Sequence, residues 1–211
     1  MRKSREQGVN AQPTLVLRGV QVFQSFLNRN AQETLLEEIR TVVSQAPLFS
    51  PMTPYGKKMS VQMTSAGQFG WVSDETGYRY ARKHPNGSNW GDIPASVSQI
   101  WDAVSGADRA PECCLVNLYR ETAKMSLHQD RSEANFAYPV VSVSLGDDGL
   151  FRIGNTTKGG KTESIWLNSG DVVVMGGDAR LIYHGIDKTR PGSSRLLTGG
   201  GRINLTMRVV T

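Results

Sequence analysis

Arg202-Ile203-Asn204-Leu205-Thr206-Met207-Arg208-Val209 alternates polar and apolar side chains. A period of two belongs to a β-strand, so Arg202, Asn204, Thr206 and Arg208 share one face and the four apolar residues share the other. A polar strand face can simply meet solvent, but here two arginines are spaced to enter one pocket. Upstream, everything from residue 113 has the same character. Residues 115–119 (Leu-Val-Asn-Leu-Tyr) place Asn117 and Tyr119 on one face with Leu115. Residues 140–145 alternate Val and Ser, and residues 164–167 and 171–175 flank the turn Asn168-Ser169-Gly170. Many short strands with glycine turns, preceded by two helical segments, indicate a β-rich α+β chain: a sandwich or jelly-roll core with supporting N-terminal helices.

The first helical segment spans residues 31–46, where Leu35, Leu36, Ile39, Val42 and Val43 recur at helical spacing. Asn30 is the expected cap, and Pro47 ends the helix. The second spans residues 94–105, with Pro94 in the first turn and Val97, Ile100, Trp101 and Val104 on one face. Residues 14–23 contain a strand, and residues 59–64 alternate like another. Residues 1–13 read as a loose polar arm. The stretch 47–92 is rich in Gly, Pro, Ser, Thr and aromatics; Phe69, Trp71, Tyr78 and Tyr80 among small residues suit a lid facing a ligand.

At 211 residues the chain is expected to form one domain, 1–211, and no internal repeat is visible. No apolar run approaches the ~20 residues of a membrane span, and the opening residues lack the apolar core of a signal peptide. The only cysteines, Cys113 and Cys114, are adjacent and rarely pair in such an arrangement. A reducing cytoplasm is therefore expected, with both thiols buried at a strand start. The formal charge of +5 and a pI of about 9.4 favour anionic partners.

His128-Gln129-Asp130 offers an imidazole and a carboxylate at i and i+2, on one side of an extended chain. His184 follows, and then the two arginines of the last strand. Two imidazoles and one carboxylate form the facial triad that leaves half of an Fe(II) coordination sphere open for a bidentate keto acid and O₂. A zinc hydrolase reading lacks an H-E-x-x-H motif or a second acidic cluster. The far carboxylate of a keto acid must be paired as it leaves water, and arginine does this bidentately. Arg208 is the first choice for that carboxylate, with Arg202 nearer the metal. Asn117 and Tyr119 can hydrogen-bond the same cosubstrate, or simply pack in the sheet.

These segments, together with residues 59–64, Gly70-Trp71, the run Pro-Val-Val-Ser-Val-Ser-Leu-Gly at 139–146, residues 170–174 and Tyr183-His184-Gly185, resemble the bacterial AlkB family from about residue 14 to 210. That family comprises Fe(II)/2-oxoglutarate dioxygenases that repair alkylated bases. The resemblance implies a double-stranded β-helix with iron on His128, Asp130 and His184. It implies 2-oxoglutarate contacts from Asn117, Tyr119, Arg202, Asn204 and Arg208, and a nucleotide-recognition lid over about 47–92. Trp71 occupies the family position that stacks on a flipped base, Met63 lines the pocket, and Tyr78 lies near the nucleotide. Lys158 stands about where the family has a basic residue. The family's acidic base-reading residue is replaced here by Ser132, with Glu133 next; serine accepts a hydrogen bond without the charge assistance.

The implied activity is demethylation of bases such as 1-methyladenine and 3-methylcytosine in DNA or RNA, with single strands preferred because extrusion of the base then costs less. The expected partner is alkylated single-stranded nucleic acid bound by a monomer. Two other readings stay open: an oxygenase of the same class acting on protein or a small molecule, and a cupin-like binding module without turnover. Core packing is the competing role for Trp71, Met63 and Tyr78.

Overall fold

A computed structural model describes residues 11–211. Its strands are β1 (Leu15–Leu17), β2 (Val20–Phe23), β3 (Gln62–Gly67), β4 (Gly70–Asp74), β5 (Gly77–Ala81), β6 (Cys113–Tyr119), β7 (Met125–His128), β8 (Val140–Gly146), β9 (Asp148–Ile153), β10 (Glu163–Leu167), β11 (Val172–Met175), β12 (His184–Arg190) and β13 (Arg202–Arg208). The helices are α1 (Arg29–Gln45) and α2 (Ala95–Val104). An antiparallel seven-stranded sheet runs β1-β2-β11-β8-β13-β6-β3; a four-stranded sheet runs β10-β9-β12-β7; β4 and β5 form a separate hairpin. The two larger sheets make the expected jelly-roll core.

The alternation in β13 sorts its side chains between two interiors. Ile203, Leu205 and Met207 pack with Val116, Leu118, Val141 and Val143 against Leu35, Ile39, Val97 and Trp101 of the helices. Each such buried side chain contributes roughly 1.5–3 kcal/mol. The opposite faces of β6, β8 and β11 send Leu115, Val140 and Val173 toward Phe151 and Ile153 of the smaller sheet. Arg202, Asn204, Thr206 and Arg208 lie on that side as well, buried rather than solvated.

Local differences from the sequence reading have tertiary causes. Asn28, not Asn30, caps α1, its side chain accepting from Ala31 N at 3.0 Å. Asn28 has the extended backbone a cap needs, whereas Asn30 already lies inside the helix. β3 begins at Gln62 rather than residue 59, because pairing with β6 from Gln62↔Leu118 to Gly67↔Cys113 sets its limits. This makes 62–67 an edge of the main sheet, so the 47–92 stretch is divided: a loop before β3 and the β4–β5 hairpin after it. Asn168-Ser169-Gly170 does turn the chain, but between sheets, since β10 and β11 belong to different ones. Cys113 and Cys114 are free and buried at the start of β6. Of the expected arm, residues 1–10 lie outside the described residues, while Ala11 donates to Ala103 O at 3.3 Å. No described helix is long and apolar enough to cross a membrane.

Candidate active site

β7 and β12 pair so that His128 stands opposite His184, with ring centroids 4.6 Å apart. Gly185 permits this approach: a Cβ there would lie 2.5 Å from Met125 O. β7 stops at His128, and the next two residues diverge. Gln129 turns away, donating to Leu181 O at 2.5 Å and Thr156 O at 3.0 Å. Asp130 returns to the imidazoles, with Oδ1 3.9 Å from His128 Nε2 and Oδ2 3.7 Å from His184 Nε2.

Each ring is oriented from behind. His128 Nδ1 is 2.9 Å from Ser126 O, and His184 Nδ1 is 3.0 Å from Ile182 O. A carbonyl only accepts, so Nδ1 carries the proton and Nε2 presents its lone pair to the cluster. The ligand atoms of His128, Asp130 and His184 all lie within 4.8 Å of one another. Among the described residues Asp130 Oδ2 is buried without a hydrogen-bond partner, the condition of an oxygen reserved for a cation. Burial pushes the Asp130 carboxyl up, but Arg208 first and then both imidazoles hold it well below the usual carboxylate range. Burial and the neighbouring His128 lower His184 to about 4, which keeps it a neutral ligand near pH 7. The donor set therefore fits the Fe(II) facial triad.

The floor of the site is the inward face of β13 and β6. Asn204 pairs with Asn117 and Arg202 with Tyr119 in the ladder, which places all four together. Asn117 Nδ2 donates to Asn204 Oδ1 at 3.4 Å, and Asn204 Nδ2 donates to Ser142 Oγ at 2.6 Å. Arg202 is 1% exposed; its Nη2 donates to Ser144 Oγ at 2.8 Å, while Nε and Nη1 have no partner among the described residues. Its guanidinium lies 5.4 Å from the Tyr119 ring centroid. Gly149 leaves space for it, since a Cβ would sit 2.6 Å from Arg202 Nε. Burial lowers the Arg202 pKa and pushes the Tyr119 hydroxyl up to about 12. A buried cation with two free donors is a receptor for an anion.

Arg208 is placed differently. Its Nη2 donates to Asp130 Oδ1 at 2.7 Å, and its Nε lies 3.3 Å from Glu133 Oε1, an ion pair without hydrogen-bond geometry. The positions expected for the two arginines are thus exchanged. Arg208 stands beside the metal ligands and Arg202 at the remote end. Spacing along a strand could not order them, because the register with β6 and the return of Asp130 decide which end meets the metal.

The wall opposite the floor belongs to the hairpin. Trp71 pairs with Tyr80 and Ser73 with Tyr78, so these residues share a face. Trp71 and Tyr78 stack with centroids 5.5 Å apart at 17°, and Tyr78 is 53% exposed. Met63 is buried on β3. The cavity enclosed between floor and hairpin measures about 780 Å³, and the metal cluster, Ser132 and Glu133 also line it. Ser132 is exposed, whereas the Glu133 carboxylate is buried and occupied by Tyr80, Arg180 and Arg208. Lys158 is exposed in the loop after β9, outside the cavity lining.

Sequence reasoning missed three contributors. Ser142 and Ser144 anchor the floor; their alternation with valine on β8 was the available signal. Arg180 is buried and donates to Tyr138 O, Asp130 O and Glu133 Oε2. The third histidine, His84, lies apart, with Nε2 2.8 Å from Pro47 O and Trp90 packed edge-on.

A cation site with three one-sided ligands above a buried anion receptor is the constellation of a keto-acid-dependent iron oxygenase. Residues 19–208 match the 2OG-Fe(II) oxygenase superfamily. The chain is 47% identical over 199 residues to an alpha-ketoglutarate-dependent dioxygenase AlkB homolog of Caulobacter vibrioides, covering 94% of this chain and 90% of that one. It is 40% identical over 184 residues to alpha-ketoglutarate-dependent dioxygenase AlkB of Escherichia coli, covering 85% of each. The solved structure of OsALKBH1 superposes with a TM-score of 0.79 at 28% identity, covering 93% of this chain and all of that one. The chain belongs to the 2OG-Fe(II) oxygenase superfamily and, within it, to the AlkB-like dioxygenases. Its cofactor is Fe(II), and its cosubstrates are 2-oxoglutarate and O₂.

Proposed function

We infer that this enzyme oxidatively demethylates N-alkylated bases in nucleic acid, single-stranded in preference, and that it acts as a one-domain monomer in the cytoplasm. One observation carries the reading: the triad lies in the same 780 Å³ cavity as the stacked Trp71–Tyr78 wall, so a flat group entering between them meets the metal cluster. The AlkB kinship supports the substrate class. The chemistry supplied there with Fe(II), 2-oxoglutarate and O₂ is hydroxylation of an N-methyl carbon, whose hemiaminal releases formaldehyde, with succinate and CO₂ as coproducts.

The chain's own residues do the rest. His128, Asp130 and His184 would hold the metal. Arg202 pairs with the far carboxylate of 2-oxoglutarate, assisted by Tyr119. Asn117 and Asn204 line the path between, and Arg208 keeps Asp130 ionised and oriented. Trp71 provides a π face for a cationic methylated base, offsetting about 1–3 kcal/mol of the unstacking. Met63 fills the base pocket behind it and Tyr78 flanks the nucleotide. Ser132, exposed at the cavity, would meet a base edge, and Lys158 the phosphate backbone outside the cavity.

Anaerobic loading with Fe(II) and 2-oxoglutarate, followed by oxygen and a methylated single-stranded oligonucleotide, tests the reading. Succinate formed together with a mass loss of one methyl group is the expected result. Succinate without demethylation would leave the oxygenase and remove the nucleic-acid substrate.

A further inference from the structure

A chain of polar contacts connects the hairpin to the metal ligands. Tyr80 on β5 donates its hydroxyl proton to Glu133 Oε1. Arg208 Nε lies 3.3 Å from that same oxygen, and Arg208 Nη2 donates to Asp130 Oδ1 at 2.7 Å. Arg180 braces both ends, donating to Glu133 Oε2 at 3.0 Å and to the Asp130 carbonyl at 2.6 Å. Glu133 and Arg208 are each 5% exposed, so loss of a partner is costly to either. Glu133 Oε1 is the hub, divided between the hydroxyl of the base-facing hairpin and the guanidinium that holds a metal ligand.

We propose that Tyr80 and Glu133 are positioning residues that make seating of a base on the hairpin and loading of the metal and cosubstrate mutually favourable. The proposal rests on the nucleic-acid reading above. With the hairpin in place, the Tyr80 hydroxyl satisfies Oε1 and leaves Arg208 free to serve Asp130. When Tyr80 withdraws, Oε1 has only Arg208 to turn to, and the guanidinium is drawn from Asp130 toward Glu133. The two arrangements differ at both sites, which is the requirement for coupling, and coupling acts equally in either direction.

The test measures binding rather than turnover. The Kd of a labelled, singly methylated single-stranded oligonucleotide is read by fluorescence anisotropy for the full chain, first unloaded and then loaded anaerobically with Fe(II) and 2-oxoglutarate. Loading should tighten wild-type binding by about 10-fold, within the usual range of coupling. In Tyr80→Phe, which keeps the ring and deletes only the hydroxyl, the ratio should fall to about 2-fold or less. The metal–2-oxoglutarate charge-transfer absorption gives the reciprocal: added oligonucleotide should tighten cosubstrate binding by the same factor in wild type only. Glu133→Gln should also lose the ratio, provided circular dichroism and Tm show it folded. A Tyr80→Phe ratio equal to wild type, or a wild-type ratio of one, overturns the coupling alone. Absence of oligonucleotide binding by wild type in both states overturns the nucleic-acid reading and the coupling with it.

Discussion

The floor and the hairpin wall bound one cavity, yet they are built oppositely. The floor is a central pair of strands, β13 and β6, with paired neighbours on both sides and side chains fixed by ladder register. Its polar atoms are buried, and among the described residues several are unmatched: Arg202 Nε and Nη1, Arg208 Nε and Nη1, and Asn117 Oδ1, with the unmatched Asp130 Oδ2 beside them. The wall is a two-stranded hairpin whose aromatics are half-buried or exposed and already stacked on one another. A floor with unmet donors demands particular ligands, an ion and a dicarboxylate. A stacked, exposed wall accepts any flat cation. On the proposed function, reaction chemistry belongs to the floor and substrate choice to the wall, and substitutions in the two should fail differently.

The strongest break is Asp130→Ala. It removes one ligand and leaves Arg208 facing only Glu133. Succinate formation should fall by at least about 10³-fold, a loss of about 4 kcal/mol of transition-state stabilisation. Iron content after anaerobic loading should fall with it. Retained iron and succinate would place the metal elsewhere.

Arg202→Met sharpens the contrast by separating stability from function. The guanidinium is buried with one hydrogen bond, and burial already lowers its pKa. An unpaired charge held in the interior costs free energy, so an apolar side chain of similar volume removes that cost. The variant's unloaded Tm should hold or rise. Its KM for 2-oxoglutarate should rise about 10²-fold, because charge-assisted hydrogen bonds contribute roughly 1.5–3 kcal/mol. Added 2-oxoglutarate should no longer raise its Tm. A destabilised variant with unchanged KM would make Arg202 structural.

The same contrast explains what the sequence disclosed. The floor was legible because β13 alternates strictly and buries both faces, leaving polar residues at fixed period. The triad was legible because His128 and Asp130 are two residues apart, although β7 ends between them and only the reversal at Gln129 brings Asp130 back. The ordering of Arg202 and Arg208 was not legible, since it depends on cross-strand register. The buried role of Glu133 was hidden for a related reason. Its partners Tyr80, Arg180 and Arg208 come from distant segments, and nothing local marks a carboxylate as paired. β3 was misplaced because Ser65-Ala66-Gly67 has little strand propensity of its own and is extended by its pairing with β6.

Trp71→Ala acts on the wall. Demethylation kcat/KM should drop about 10–100-fold, the value of one base–aromatic stack. The metal site and the KM for 2-oxoglutarate should remain as in wild type, because the indole is outside the metal cluster and the Arg202–Ser144 contact. Demethylation near the wild-type rate would return Trp71 to a packing role alongside Tyr78.

The smallest effect is expected at Lys158, and its form matters more than its size. The residue is exposed and outside the cavity lining, so the contact expected of it is with the phosphate backbone. Lys158→Ala should weaken oligonucleotide binding about 2–3-fold at moderate salt and reduce the slope of log Kd against log salt by about one. The loss should be the same for every base sequence and every lesion, since a phosphate contact carries no base information. A loss confined to one lesion, with the salt slope unchanged, would instead bring Lys158 to the base edge and make the loop after β9 part of the wall.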